Sequence, residues 1–401
     1  MLLTNCRIEG KESLQRVRIS GEIVAEIDAH IAPKANEQVI DANGSLLTCA
    51  LVEPHAHLDK AFLAERIDNP TGDLMGAIHA MESSRNLITI ADTIERAERA
   101  VRLMVSNGVS AIRTHADVTE WNNLDSVEAL VEVRNRTRDI VDLQICALLG
   151  WPLSGDVGAS NRDLGRRAIQ MGANILGGCP HLDVNPEGAN IALLELAGEL
   201  NCGLDLHTDE HTDVNRVSLE HLANLVISTG FNNSVVASHC VSLGMQTESV
   251  QKRIADRVAE ARIGVVALPH TNLFLQGRDA TTATPRGLTA IANLRRAGVK
   301  VAVGADNLQD PFNPIGRGDP LESAGLAILT AHLLPQDAFA SVTSTARSVI
   351  GLTSAGPQVG ARADLMLTAA GSVREAIANM PIRTLVFYKG QITSSRLALA
   401  N

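Results

Sequence analysis

The segment Glu53-Pro54-His55-Ala56-His57-Leu58-Asp59 ends an apolar, β-branched run that starts near residue 51. Two side chains at positions i and i+2 of a β-strand project from the same face of that strand. The imidazoles of His55 and His57 can therefore reach one ion, and neutral imidazole is a common ligand of Zn²⁺ and Fe²⁺. A strand that ends in this way predicts a metal-dependent active site at the carboxyl ends of a parallel sheet.

Strands and helices alternate regularly through the middle of the chain. Apolar runs typical of strands occur near 51–55, 109–114, 142–148, 174–179, 203–207, 234–238, 263–268 and 299–305. Stretches with helical periodicity lie between them, at 91–106, 125–137, 189–200, 216–228 and 249–261. This order predicts an α/β fold, a closed (β/α)8 barrel of the TIM type, over residues 49–352. No Gly-x-Gly-x-x-Gly motif follows the first strand, which argues against an open dinucleotide-binding sheet.

The two ends of the chain differ from this middle. Short alternating runs separated by turn residues predict strands in residues 1–48 and again in residues 353–401. We therefore expect a small β-sandwich domain that is assembled from both chain ends and flanks the barrel.

Composition and charge exclude several classes of partner. The chain of 401 residues has a formal net charge of −10 and only 2% aromatic residues, whereas nucleic-acid binding needs clustered cations and stacking rings. The first residues lack the pattern of a signal peptide, and no apolar stretch approaches ~20 residues, so neither secretion nor a membrane span is expected. The six cysteines are scattered singly, which argues against a disulfide framework. We expect a cytoplasmic protein without a nucleic-acid or membrane partner.

Further strand ends carry side chains that can bind metal. The fifth predicted strand ends in His207-Thr208-Asp209-Glu210, the sixth in His239 and the eighth in Asp306. Because the carboxyl ends of barrel strands meet at one mouth, these groups should converge with the histidines of the first strand. This coincidence predicts a metal site. Other histidines are first interpreted as structural: His115, His181 and His270.

The chain resembles the amidohydrolase superfamily and, more narrowly, its cytosine deaminase-like group, with N-isopropylammelide isopropyl amidohydrolase as a near relative. The segments that carry the resemblance are Val52–Lys60, Arg113–Val118, Asp142–Ile145, His207–Glu210, Asn272–Arg278 and Asp306–Phe312. The resemblance covers nearly the whole chain, including the divided β-domain.

The resemblance implies one divalent metal ion, Zn²⁺ or Fe²⁺, and four ligands to it: His55, His57, His207 and Asp306. Superfamily members with two metals usually bridge them with a carboxylated lysine at strand 4, where this chain has Gly177-Gly178-Cys179-Pro180. By the same resemblance, Glu210 would be the catalytic proton shuttle. His239 would hydrogen-bond the metal-bound water, and Asp306 would also act in catalysis by accepting a proton from that water.

The implied reaction is that of an aminohydrolase, or deaminase, on an amino-substituted N-heterocycle such as a cytosine- or isocytosine-like pyrimidine, with metal-activated water. Two alternatives within the hydrolases are action on an N-alkylated aminotriazine and opening of a cyclic amide, which would release no ammonia. An inactive metal-binding paralogue is the alternative of another class. We expect a small-molecule substrate and a homo-oligomer.

The substrate pocket departs from the pattern of cytosine deaminases at three positions. Gly150 stands where they have a glutamine after the third strand, Asn307 where they have a carboxylate after the metal aspartate, and Phe274 where they have a histidine. Loss of a polar contact of this kind changes discrimination strongly, so we expect a heterocycle other than cytosine. The candidates for substrate contact lie near Leu58–Phe62 and at Trp151, His181, Gln276 and Asn307.

Overall fold

The computed structural model describes residues 1–396, which form a parallel barrel and a two-sheet β-domain. The strands are β1 (Leu2–Cys6), β2 (Gln15–Ser20), β3 (Ile23–Asp28), β4 (Val39–Asp41), β5 (Leu46–Cys49), β6 (Leu51–Ala56), β7 (Val109–Val118), β8 (Asp142–Leu149), β9 (Ile175–Gly178), β10 (Gly203–Thr208), β11 (Val235–His239), β12 (Gly264–Ala267), β13 (Val301–Val303), β14 (Leu365–Thr368), β15 (Arg383–Tyr388) and β16 (Gln391–Ser395). The α-helices are α1 (Leu74–Ser83), α2 (Ile90–Ser106), α3 (Asp125–Thr137), α4 (Ala159–Met171), α5 (Pro186–Glu199), α6 (Leu219–Thr229), α7 (Val241–Gly244), α8 (Glu248–Glu260), α9 (Pro269–Leu275), α10 (Ile291–Arg296), α11 (Pro320–Ala331), α12 (Pro335–Ser341), α13 (Ser344–Val349) and α14 (Val373–Asn379).

Strands β6 to β13 are the eight parallel strands of the barrel, and each pairs with the next in chain order. Every residue of β6 is buried, as expected for a parallel strand covered on both faces. The first and last strands meet at the mouth, where the backbone nitrogen of Asp306 donates to the oxygen of His55 at 3.1 Å. The nitrogen of His57 donates in turn to the oxygen of Asp306 at 3.2 Å. The predicted barrel is confirmed. The hydrogen bonds that join its first and last strands are made by His55, His57 and Asp306, three of the predicted metal ligands.

The predicted helices are present, and the start of one is displaced for a visible reason. Helix α3 has the predicted bounds of 125–137. Helix α6 begins at Leu219 instead of residue 216, because the carboxylate of Asp209 accepts hydrogen bonds of 3.0 Å from the backbone nitrogens of Ser218 and Leu219. This cap fixes the first turn and leaves the preceding residues as a loop.

Strands from both chain ends share one small core. One sheet has the order β3-β2-β1-β4, and the other joins the C-terminal strands to β5 in the order β16-β15-β14-β5. Leu3 from the first sheet and Leu47 and Phe387 from the second belong to one hydrophobic cluster and are at most 1% exposed. The predicted β-sandwich domain, built from both ends of the chain, is therefore confirmed.

The boundaries of the two domains stay predictions, at 1–48 and 353–401 for the β-domain and 49–352 for the barrel. Residues 397–401 of the last segment lie outside the described residues. Among the helices of residues 1–396, none is long and apolar enough to cross a membrane.

Candidate metal centre

Four side chains at the barrel mouth converge on one point. They are His55, His57, His207 and Asp306, and one ligand atom of each lies within 4.8 Å of those of the others. The Nε2 atoms of His57 and His207 are 3.2 Å apart. Oδ1 of Asp306 lies 3.4 Å from Nε2 of His55 and 3.2 Å from Nε2 of His57. The structure thus brings together all four predicted ligands, and each is at most 6% exposed.

Strand pairing brings these groups to the same level of the barrel. His207 on β10 is the register partner of Ser238 on β11, and Thr208 is the partner of His239. His239 and Asp306 both have a φ of +68°, in the left-handed region that non-glycine residues rarely adopt. Backbone strain of this kind is concentrated at functional sites, where the surrounding structure enforces it.

The donor set fits a divalent transition-metal ion. Burial lowers the pKa of His55 and of His207 well below the ordinary value, and neighbouring imidazoles act in the same direction, so both rings are neutral and can offer a lone pair. Within residues 1–396, Nε2 of His55 and Oδ1 of Asp306 are buried without a hydrogen-bond partner, which is rare for buried polar atoms. Three imidazole nitrogens and one carboxylate oxygen are ligands that Zn²⁺ and Fe²⁺ both accept.

Glu210 and His239 flank this cluster. Nδ1 of His239 lies 3.0 Å from the amide oxygen of Asn272 and 3.6 Å from Oε1 of Glu210. Its other nitrogen, Nε2, lies 3.9 Å from Oδ2 of Asp306. An amide oxygen only accepts, so His239 donates through Nδ1 and turns an unprotonated Nε2 towards Asp306. Burial, and then the negative charge of Asp306, raise the pKa of Glu210 well above its usual range. Glu210 is therefore suited to hold a proton at neutral pH.

A cavity with about 750 Å³ of empty space, part of it open to solvent, leads to this cluster. Three of the four ligands, His57, His207 and Asp306, line it together with Glu210 and His239. Trp151 and Asn307, two of the predicted substrate contacts, line the same cavity. The side-chain amide of Asn307 donates to Oδ2 of Asp310 at 2.8 Å, which fixes its orientation.

Two further predicted contacts, Gln276 and His181, are not among the cavity-lining residues of the part of the chain that the structure describes. Nε2 of Gln276 donates to the backbone oxygen of Glu210 at 3.1 Å. Nδ1 of His181 lies 3.0 Å from the backbone oxygen of His207. His181 thus supports the end of β10, and Gln276 supports the segment that follows it.

Sequence reasoning missed other residues of the cavity wall, notably Asp117 and Trp121. Nζ of Lys60 donates to Oδ1 of Asp117 at 2.6 Å, so a partly buried ion pair forms part of the wall. Trp121 and Trp151, the two tryptophans of the chain, line the same cavity. Lys60 lies within the range Leu58–Phe62, where the sequence predicts substrate contacts. Trp121 lies in a loop, where no periodicity indicates its neighbours.

Comparisons with known proteins agree with this geometry. The sequence model described as the amidohydrolase family matches residues 63–381. The chain is 34% identical to the pterin deaminase of Rhizobium rhizogenes, over 97% of this chain and 90% of that protein. Its structure resembles that of the Klebsiella pneumoniae 5-methylcytosine deaminase liganded with 5-fluorocytosine, with a TM-score of 0.91, 29% identity and coverage of 100% and 99% of the two chains. It also resembles the N-isopropylammelide isopropylaminohydrolase of Burkholderia multivorans, with a TM-score of 0.86, 28% identity and coverage of 98% of each chain.

Proposed function

The chain belongs to the amidohydrolase family, and we propose that it is a metal-dependent aminohydrolase that removes an amino group from an N-heterocycle. One observation carries the proposal: three of the four ligands, His57, His207 and Asp306, line the same cavity as Glu210, a buried carboxyl with a raised pKa. Two relatives of the chain are named deaminases of aminated heterocycles, a pterin and 5-methylcytosine.

We infer that the amino group belongs to a 2-amino-4-oxopyrimidine ring, which is found in isocytosine and in the fused bicyclic pterins. The relative that shares 34% identity is named a pterin deaminase. The cavity opens to solvent and reaches the ligands His57, His207 and Asp306, so a ring can approach the metal site from outside. Trp121 and Trp151 line it, and aromatic faces favour flat rings. Gly150 leaves its stretch of the wall without a side chain.

The ion pair in the wall matches the polar edge of such a ring. Lys60 offers ammonium donors and Asp117 a carboxylate acceptor, side by side on the cavity surface. A lactam presents the complementary pair, a carbonyl oxygen next to a ring N–H. We propose that Lys60 and Asp117 bind this edge. Position 150, where cytosine deaminases have a glutamine, is a glycine in this chain and offers no side chain for it.

In the proposed reaction the four ligands and Glu210 divide the chemistry. A divalent ion held by the four ligands would supply water whose pKa is lowered towards ~7. Oδ2 of Asp306, on the side of His239, accepts a proton from the attacking water. Glu210 donates a proton to the ring nitrogen beside the carbon that bears the amino group. The water oxygen bonds to that carbon, and Asp306 passes the proton it accepted to the amino nitrogen. The C–N bond then breaks, ammonia leaves, and the proton of the new hydroxyl returns to Glu210 as the carbonyl forms.

Three finer features are also proposals. We propose one ion per chain, Zn²⁺ or Fe²⁺, because both accept this donor set and β9 ends without a lysine that could bridge a second ion. Elemental analysis of protein purified without added metal distinguishes the two ions. We also propose a homo-oligomer in the cytoplasm, which sedimentation and cell fractionation test.

A 4-aminopyrimidine is the second candidate substrate, favoured by the TM-score of 0.91 with 5-methylcytosine deaminase. An N-alkylated aminotriazine is the third, favoured by the likeness to N-isopropylammelide isopropylaminohydrolase. In that reaction the leaving group would be an alkylamine instead of ammonia.

The deciding experiment is an amine-release assay of metal-replete protein against pterin, isocytosine, cytosine, 5-methylcytosine and N-isopropylammelide. We expect ammonia release with the highest kcat/KM on pterin, followed by isocytosine. Loss of ring absorbance without released amine would indicate a ring-opening amidase. Inactivity on all five compounds, with metal bound, would contradict the proposed function and favour an inactive paralogue.

A further inference from the structure

A buried chain of polar groups runs beneath the ligand cluster and ends on His55. Nδ1 of His55 lies 2.9 Å from Oγ of Ser238, and that hydroxyl donates to Oδ1 of Asp205 at 3.2 Å. The other oxygen of Asp205, Oδ2, accepts from Arg113 at 2.7 Å. All four residues are at most 1% exposed, so water does not compete for these bonds.

The direction of the bonds determines which nitrogen of His55 carries the proton. A serine hydroxyl has one hydrogen, and Ser238 gives it to the carboxylate of Asp205. Towards His55 the same hydroxyl can therefore only accept, so Nδ1 of His55 is the protonated nitrogen. Nε2 is left with its lone pair, and this is the nitrogen that lies 3.4 Å from Oδ1 of Asp306.

Arg113, at the far end of this series of hydrogen-bonded groups, is held by further bonds. Besides its bond to Asp205, Arg113 donates through Nε to the side chain of Gln144 at 2.9 Å and through its second terminal nitrogen to the backbone oxygen of Ile350 at 3.0 Å. The ring of His115 stacks on that of His55 with 3.9 Å between centroids. The imidazole of His55 is therefore restrained both at Nδ1 and across its face.

We propose that Ser238 and Asp205 are positioning residues that hold His55 in the Nδ1–H tautomer and thereby strengthen its bond to the metal ion. The inference rests on the proposed function, since it deepens the proposed metal site. Groups that hydrogen-bond the second nitrogen of a histidine ligand orient the ring and raise its basicity. Of the other two histidine ligands, His57 has Nζ of Lys60 3.4 Å from its Nδ1, and His207 has no hydrogen-bond partner at Nδ1 within residues 1–396. The relay of Arg113, Asp205 and Ser238 therefore acts on His55 alone.

A second metal ion is the alternative explanation of this arrangement, because His55, His115 and Asp205 could together bind one. Two observations favour the relay. Nδ1 of His55 already has Ser238 as a partner, and the guanidinium of Arg113 lies 2.7 Å from the carboxylate. A second dication beside a buried arginine would be strongly repelled.

The test compares Ser238→Ala with Ser242→Ala. Both serines are fully buried, but the hydroxyl of Ser242 has no hydrogen-bond partner among residues 1–396, so only the first substitution removes a link of the relay. The affinity of each apoprotein for Zn²⁺ is measured by competition with a chromogenic chelator, without any substrate. The absorption spectrum of the Co²⁺-substituted protein reports the ligand geometry.

We expect Ser238→Ala to weaken Zn²⁺ binding by roughly 10–100-fold and to change the Co²⁺ spectrum. Ser242→Ala should leave both unchanged, and Ser238→Thr, which keeps a hydroxyl, should restore affinity. Equal affinities for Ser238→Ala and the unsubstituted protein would overturn the relay, as would equal losses in both alanine variants. Two ions per chain, one of them lost in Ser238→Ala, would replace the relay by a second metal site.

Failure of the relay and failure of the proposed function are separate outcomes. If the unsubstituted protein binds no Zn²⁺, the metal site itself is wrong and the relay falls with it. If it binds one ion and Ser238→Ala binds that ion equally well, only the relay is wrong.

Discussion

Oε1 of Glu210 lies 3.6 Å from Nδ1 of His239, so a carboxyl with a raised pKa meets the imidazole that faces Asp306. The backbone of Glu210 is fixed independently, because Gln276 donates to its carbonyl oxygen at 3.1 Å. Gln276 thus holds the backbone of Glu210, and burial favours the protonated form of its carboxyl.

Replacement of Glu210 by glutamine tests its role as the proton donor. Glu210→Gln keeps the size of the side chain and removes the transferable proton, so we expect kcat to fall by about 10²–10⁴-fold with metal content unchanged. Steady-state ammonia release measures the effect. Glu82→Gln, at another carboxylate that lines the cavity, is the control and should retain activity. Near-normal turnover of Glu210→Gln would refute the assignment.

Removal of a ligand tests the metal centre. His207→Ala deletes one of four converging ligands, so the purified protein should lose most of its bound metal and its activity should fall to background. Elemental analysis and the ammonia assay measure the two effects. His270→Ala is the matched control, because Nε2 of His270 lies 3.2 Å from Ser323 and the residue does not belong to the ligand cluster. Equal metal retention in both variants would argue against the assigned site.

Protonation of a buried histidine should destabilise the fold at low pH. Burial lowers the pKa of His181 to about 3, against ~6.5 in an unfolded chain. Below about pH 6.5 the unfolded chain binds a proton at His181 that the folded chain does not, and this lowers the free energy of unfolding. The contribution of the neutral His181 to that free energy is complete above pH 6.5 and is lost as the pH falls towards 3. The loss is at most about 1.4 kcal/mol per pH unit.

Urea unfolding at pH 7 and pH 5 measures this dependence. His181→Gln keeps a donor for the backbone oxygen of His207 and should reduce the loss of stability between the two pH values. His30→Gln, at an exposed histidine, should leave the loss unchanged. A full loss in His181→Gln would show that His181 does not contribute.

Removal of an aromatic wall tests how the ring is bound. Trp121→Ala deletes one of the two tryptophans that line the cavity, so KM for pterin should rise by roughly 2- to 12-fold, equivalent to about 0.5–1.5 kcal/mol, with little change in kcat. Trp121→Phe retains an aromatic face and should stay close to the unsubstituted enzyme. An unchanged KM in Trp121→Ala would place the substrate against another part of the wall.

The sequence by itself determined the barrel and the ligands offered at its mouth. Continuous apolar strands separated by helices require a parallel sheet covered on both faces, and all parallel strands present their carboxyl ends at one mouth. His55, His207 and Asp306 could therefore be brought together without knowledge of a single contact. The same logic held for the β-domain, because its strands alternate visibly at both chain ends.

Only the tertiary structure decided what each polar side chain of the loops does. Gln276 and His181 hold backbone oxygens, whereas Trp121 lines the cavity. The reason is physical: a strand has a period of two that dictates which way its residues face, but a loop has no period, and its side chains take whichever partners its path brings near. The relay from Arg113 to His55 likewise joins residues from four different strands, a proximity that no local pattern encodes.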